Sequence, residues 1–183
     1  TEYALQNPKS LKSVTLASPL LSSKIWVEDA KQLLSQLPME VQRTIWIHEH
    51  QGTTDSPEYL NAVDIYYHRF VCRMKKWPEE LKYSVEHLNM NVYNTMWGVS
   101  EFSMTGNLKY FDRMADLKYL NMPVLITGGK YDEARPNTLA FAAEKIPHGQ
   151  FILYKHSSHM AMVEEEEKYL KNLHAFLKAA DKS

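Results

Sequence analysis

Apolar residues along this chain follow two rhythms. Short compact runs at Leu11–Ser18 (LKSVTLAS), Pro123–Thr127 (PVLIT) and Gln150–Tyr154 (QFILY) are rich in β-branched or aromatic residues and predict buried strands. From about Ser23 to Asn107 the spacing becomes helical. Helices are predicted over Val27–Leu37, Pro38–Glu49, Pro57–Arg73, Pro78–Leu88 and Met90–Trp97, and most open on Pro or an acidic residue, as helix starts do. After Gly106 helix and strand alternate again: helix Phe111–Leu117, strand Pro123–Thr127, helix Pro136–Lys145, strand Gln150–Tyr154, helix Glu164–Ala180. The first residues, TEYALQNPKS, read as the last turns of a helix stopped near Asn7-Pro8. A chain that begins inside a helix is expected to be a fragment.

This order predicts an α/β fold with a helical block inserted between sheet strands, the arrangement of a cap or lid over an active site. The expected division is 1–22 (helix end and core strand), 23–107 (helical cap) and 108–183 (the rest of the α/β core). Composition changes this picture little. A chain of 183 residues with 44% apolar and 23% charged residues can bury a full core. Its net charge of −1 gives no reason to expect nucleic acid or an anionic membrane as partner. No apolar run reaches the roughly 18 residues of a membrane span, and no signal-peptide core opens the chain. The lone Cys72 cannot form an internal disulfide, which fits a reducing, cytoplasmic setting.

The candidate chemistry lies just past the second and third strands. Gly128–Pro136 reads GGKYDEARP and Ser157–Val163 reads SSHMAMV, so Asp132 and His159 both follow strand carboxyl ends. That edge of an α/β sheet is where ligands and catalytic groups collect. An Asp followed by a helix, a strand and then a His fits the second half of a Ser…Asp…His order, with His159 as general base and Asp132 orienting its ring. Locally, Asp132 also fits a turn or helix cap before Pro136, and His156 competes with His159. Glu133 adjoins Asp132, and Glu101 sits in the return WGVSEFSMTG between Trp97 and Phe102. Two carboxylates converging on a pocket suit a protonated amine, and the two aromatics suit either an apolar pocket or the core of the helical block. Glu164–Glu167 reads as a solvated helix start. His48 and His50 lack further ligands, so neither a metal nor a cofactor is expected. A G-x-S-x-G turn is absent; the nearest string, Gly98-Val99-Ser100, lacks the closing Gly and a strand before it.

These segments, with YLNAVDIYYHRFVCRMKKWPEEL and NVYNTMWGVSEFSMTGNLKYFD, resemble the proline iminopeptidases (prolyl aminopeptidases) of the α/β-hydrolase superfamily over nearly the whole chain. The resemblance implies the C-terminal portion of an α/β-hydrolase fold with an inserted helical cap. It implies Asp132 and His159 as catalytic residues, Glu101 and Glu133 as ligands of the substrate's free α-amino group, and Trp97 and Phe102 around its first side chain. It places the nucleophilic Ser and the oxyanion loop ahead of Thr1. The implied activity is a serine aminopeptidase that releases an N-terminal residue, often Pro, from peptides or amino-acid amides through an acyl-enzyme. The chain alone is expected to be inactive, with Ser157 and Ser158 the first substitutes to examine if it is not. Expected partners are the substrate and either an N-terminal companion segment or a second copy. An inactive fragment serving as an interaction module, or a related amidase or esterase, are the alternative readings.

Overall fold

The computed structural model describes residues 1–182. They divide into two compact units, one of residues 1–22 with 112–182 and one of Ser23–Phe111. The first is an α/β unit. Its short helix α1 (Glu2–Leu5) leads into strand β1 (Val14–Ala17), and β2 (Val124–Gly129) and β3 (Gly149–Tyr154) complete a sheet of order β1-β2-β3. All pairs are parallel: Val14 faces Val124, and Val124 in turn faces Gly149. The central β2, VLITGG, is buried at every position, as an apolar strand covered on both faces should be. Helix α7 (Pro136–Glu144) starts with Pro at its first turn and packs on β2 and β3 through Leu139, Ala142 and Ala143. Helices α8 (Ala161–Glu164) and α9 (Glu166–Ala180) follow β3, and the Tyr169 ring packs tilted against Tyr154 with ring centroids 5.3 Å apart.

The second unit is helical: α2 (Ser23–Leu34), α3 (Met39–Gln51), α4 (Pro57–Phe70), α5 (Glu79–Glu86) and α6 (Met90–Met96). The local chemistry is explicit in α4. Ser56 caps it by accepting the Tyr59 N–H at 3.2 Å, Pro57 fills the first turn, and Tyr59, Ala62, Val63, Tyr66 and Phe70 recur on one buried face. Helix α3 stops where Gly52 takes a left-handed φ of 68°.

Two expectations fail. Phe111–Leu117 is not a helix. Asp112 pairs with Ser22 in an antiparallel bridge, and its carboxylate accepts the Met114 N–H at 2.9 Å, a local bond that replaces helical pairing. From Phe111 to Leu117 the chain has no helix until the last residue, where a 3-10 turn runs over Leu117–Tyr119. The last helix is interrupted rather than continuous, with a break at Glu165 (φ −130°, ψ 49°). Among the described residues no helix is long and apolar enough to cross a membrane.

Candidate active site

Three chain segments leave the carboxyl ends of the parallel strands, and they converge. After β2 the chain turns sharply, with the Asp132 N–H donating to the Gly129 carbonyl at 3.3 Å. Asp132 is 1% exposed, so its carboxylate must be satisfied by protein donors. Oδ1 accepts the Ala134 N–H at 2.8 Å and Oδ2 the Gly129 N–H at 3.1 Å. Ser18, immediately after β1, donates its hydroxyl to Oδ2 at 2.6 Å. His159 Nδ1 stands 2.9 Å from Oδ1. Facing a carboxylate acceptor, Nδ1 is the ring nitrogen placed to carry a proton, and in the neutral imidazole the lone pair then falls to Nε2. Glu133 is as buried as its neighbour, and its Oε1 lies 3.8 Å from His159 Nδ1.

The loop after β3 is held from both sides. Its Tyr154 and Ser157 carbonyls accept the N–H groups of Lys130 (2.8 Å) and Tyr131 (3.1 Å), which stitches it to the loop after β2. Gly129 makes this approach feasible, because a Cβ there would collide with the carbonyl oxygens of Ser157 and Ser158. From the other side, Glu165 Oε2 accepts the His156 N–H at 2.9 Å and the Ser157 hydroxyl at 2.7 Å. Glu164 Oε2 accepts both the N–H and the hydroxyl of Ser158, each at 2.7 Å. These two carboxylates therefore do not belong to a solvated helix start. They clamp the segment that delivers His159. Burial pushes the Glu165 carboxyl up, but the bonds from Ser157, the His156 N–H and Lys168 outweigh it and hold the group below its ordinary value. Ser157 and Ser158 are fully buried with committed hydroxyls, which does not suit a substitute nucleophile. His156 is exposed.

Within the helical unit, Glu101 is half-buried and accepts the Tyr93 hydroxyl at 2.7 Å. Its backbone carbonyl accepts two indole N–H groups, from Trp26 (2.9 Å) and Trp97 (3.3 Å), whose rings meet edge to face at 5.2 Å. Phe102 is buried and packs edge-on against Tyr66, centroids 4.7 Å apart. Ser18, Glu164, Glu165 and Tyr93 are the contributors that sequence reasoning missed. A serine at a strand end and a glutamate in an acidic run carry no periodic signal.

A parallel sheet with buried acid and histidine at its carboxyl edge defines a class of protein before any comparison is made. A family model for the alpha/beta hydrolase fold matches residues 1–166, and the chain belongs to that family. Its relatives narrow the class. It is 42% identical over 176 residues to the proline iminopeptidase of Heyndrickxia coagulans, covering 96% of this chain and 61% of that protein. Among solved structures, VinJ matches with a TM-score of 0.94 at 30% identity, covering 98% of this chain and 61% of that one. The proline iminopeptidase of Mycobacterium smegmatis matches with a TM-score of 0.88 at 32% identity, over 98% of this chain and 61% of that one. The chain thus spans about three fifths of the length of these relatives.

Proposed function

We infer that the enzyme carrying this chain is a serine aminopeptidase of the proline iminopeptidase type, which releases an N-terminal residue, often proline, from peptides through an acyl-enzyme. The observation that carries this reading is the 2.9 Å Asp132–His159 pair at the carboxyl edge of the sheet. Asp132 fixes the Nδ1–H tautomer. His159 Nε2 then takes the proton of an attacking hydroxyl and returns it to the departing amine, while Asp132 stabilises the imidazolium between the two transfers. On this reading the nucleophile and the oxyanion donors lie outside these 183 residues, which hold no G-x-S-x-G turn, so the 183-residue chain alone is expected to turn over no Pro-aryl amide.

Glu133 and Glu101 are proposed to bind the substrate's protonated amine, with Trp97 and Phe102 serving its first side chain. An ammonium taken out of water needs compensating carboxylates. The test uses the full-length enzyme with a Pro-aryl amide and an N-blocked ester. His159→Ala is expected to lower kcat on both by at least about a thousandfold. Glu133→Gln is expected to cost kcat/KM about tenfold or more on the free amine and far less on the blocked ester. Full activity of His159→Ala would overturn the hydrolase reading. Equal losses of Glu133→Gln on both substrates would overturn amine recognition and favour an amidase or esterase.

A further inference from the structure

We propose that Ser18 is a positioning residue for the Asp132–His159 pair, a third anchor that fixes the rotation of the Asp132 carboxylate. This rests on the reading of His159 as general base. Ser18 closes the β1 ladder, its N–H donating to the Thr127 carbonyl at 2.9 Å, and its backbone then turns into the left-handed region with φ 45°. A residue with a Cβ avoids that conformation, and glycine adopts it freely. A side chain kept there supplies something glycine cannot.

What it supplies is a buried hydroxyl, 2.6 Å from Asp132 Oδ2 and 3.2 Å from the His159 carbonyl oxygen. One hydroxyl proton serves one acceptor at a time, and the shorter distance to a carboxylate directs it to Asp132. Of the backbone donors to Asp132, Ala134 at Oδ1 belongs to its own loop and Gly129 at Oδ2 is the last residue of β2, the strand that leads into that loop. Both lie on the segment that carries Asp132 and hold the carboxylate to it. The torsion that turns a carboxylate about its Cβ–Cγ bond is broad and soft. A donor mounted on β1, outside the loop, resists that turn and keeps Oδ1 on Nδ1. The His159 carbonyl, close to the same hydroxyl, places the loop after β3 against the same anchor.

A purely structural role would be to fill a buried polar gap, and the two roles separate experimentally. Ser18→Ala removes the hydroxyl and keeps the backbone unfavourable. Ser18→Gly removes the hydroxyl and relieves the backbone. In the full-length enzyme, assayed on a Pro-aryl amide beside His159→Ala, both variants are expected to lose kcat by roughly 10- to 100-fold with KM changed less than about twofold. Both are expected to shift or broaden the low-field imidazole N–H proton resonance of His159, although Ser18→Gly melts higher than Ser18→Ala. Wild-type kcat and an unmoved resonance in either variant, with His159→Ala inactive, would overturn the role of Ser18 alone. So would kcat recovering in Ser18→Gly in step with its stability. An active His159→Ala would instead overturn the reading on which this rests.

Discussion

Glu165 uses one carboxylate oxygen, Oε2, to accept both a backbone N–H and a serine hydroxyl, and its other oxygen, Oε1, meets Lys168 at 3.2 Å. Its side chain is only 12% exposed, so these bonds are made largely out of water. Glu165→Gln keeps the shape, loses the charge and should destabilise the enzyme by roughly 1–3 kcal/mol at neutral pH. Because the folded-state carboxyl is held below its ordinary value, that stabilisation is present above the unfolded-state value and vanishes as pH falls through the folded one. Denaturant unfolding of wild type and variant should therefore give a gap that is steady from about pH 7 to about pH 5 and narrows below about pH 4.5. A gap independent of pH would show that the charge is irrelevant. The positions of Asp132 and His159 were legible in the sequence because each follows a short apolar run, rich in β-branched or aromatic residues, that predicts a strand. Ser18 was not, since its partner lies 114 positions away and only the folded sheet brings them together. Glu164 and Glu165 were misread because an acidic run before a helix looks the same whether it meets water or a loop.

At the scale of elements, the strands and most helices could be read from spacing and from Pro starts, with ends that shifted by a few residues. The exceptions share a cause. Phe111–Leu117 has helical spacing, but the Asp112 side chain and its bridge to Ser22 claim the backbone first. The α8–α9 break at Glu165 puts Glu164 and Glu165 at a junction, where both carboxylates reach the loop before His159. The contact between the loops after β2 and β3 depends on the absent side chain of Gly129. Gly129→Ala should push the Ser157 and Ser158 carbonyls away, strain the Tyr131–Ser157 bond, destabilise the enzyme by about 1–3 kcal/mol and lower kcat by about tenfold. Thermal unfolding and Pro-aryl amide turnover measure the two effects. Unchanged kcat with reduced stability would separate loop contact from the alignment of His159.

Across the whole molecule, the helical unit is one contiguous segment, and its ends meet. The Ser23 N–H donates to the Phe111 carbonyl at 2.8 Å, and the flanking Ser22 and Asp112 pair with each other. The Arg113 N–H donates to the Leu21 carbonyl at 2.8 Å, so the α/β unit is already closed across the point where the segment leaves it. Replacing residues 23–111 of the full-length enzyme with a short Gly-Ser turn should keep the sheet folded, because closing so short a gap costs little chain entropy. Circular dichroism should retain a cooperative melt, and loss of cooperative unfolding would show that the sheet depends on the segment. The same closed junction has a meaning for descent. On the proposed reading, a recombination event that exchanges everything between Ser22 and Asp112 leaves Asp132, His159 and the Ser18 hydroxyl in place, so lineages can vary Trp97, Glu101 and Phe102 while passing on the same acid–histidine pair.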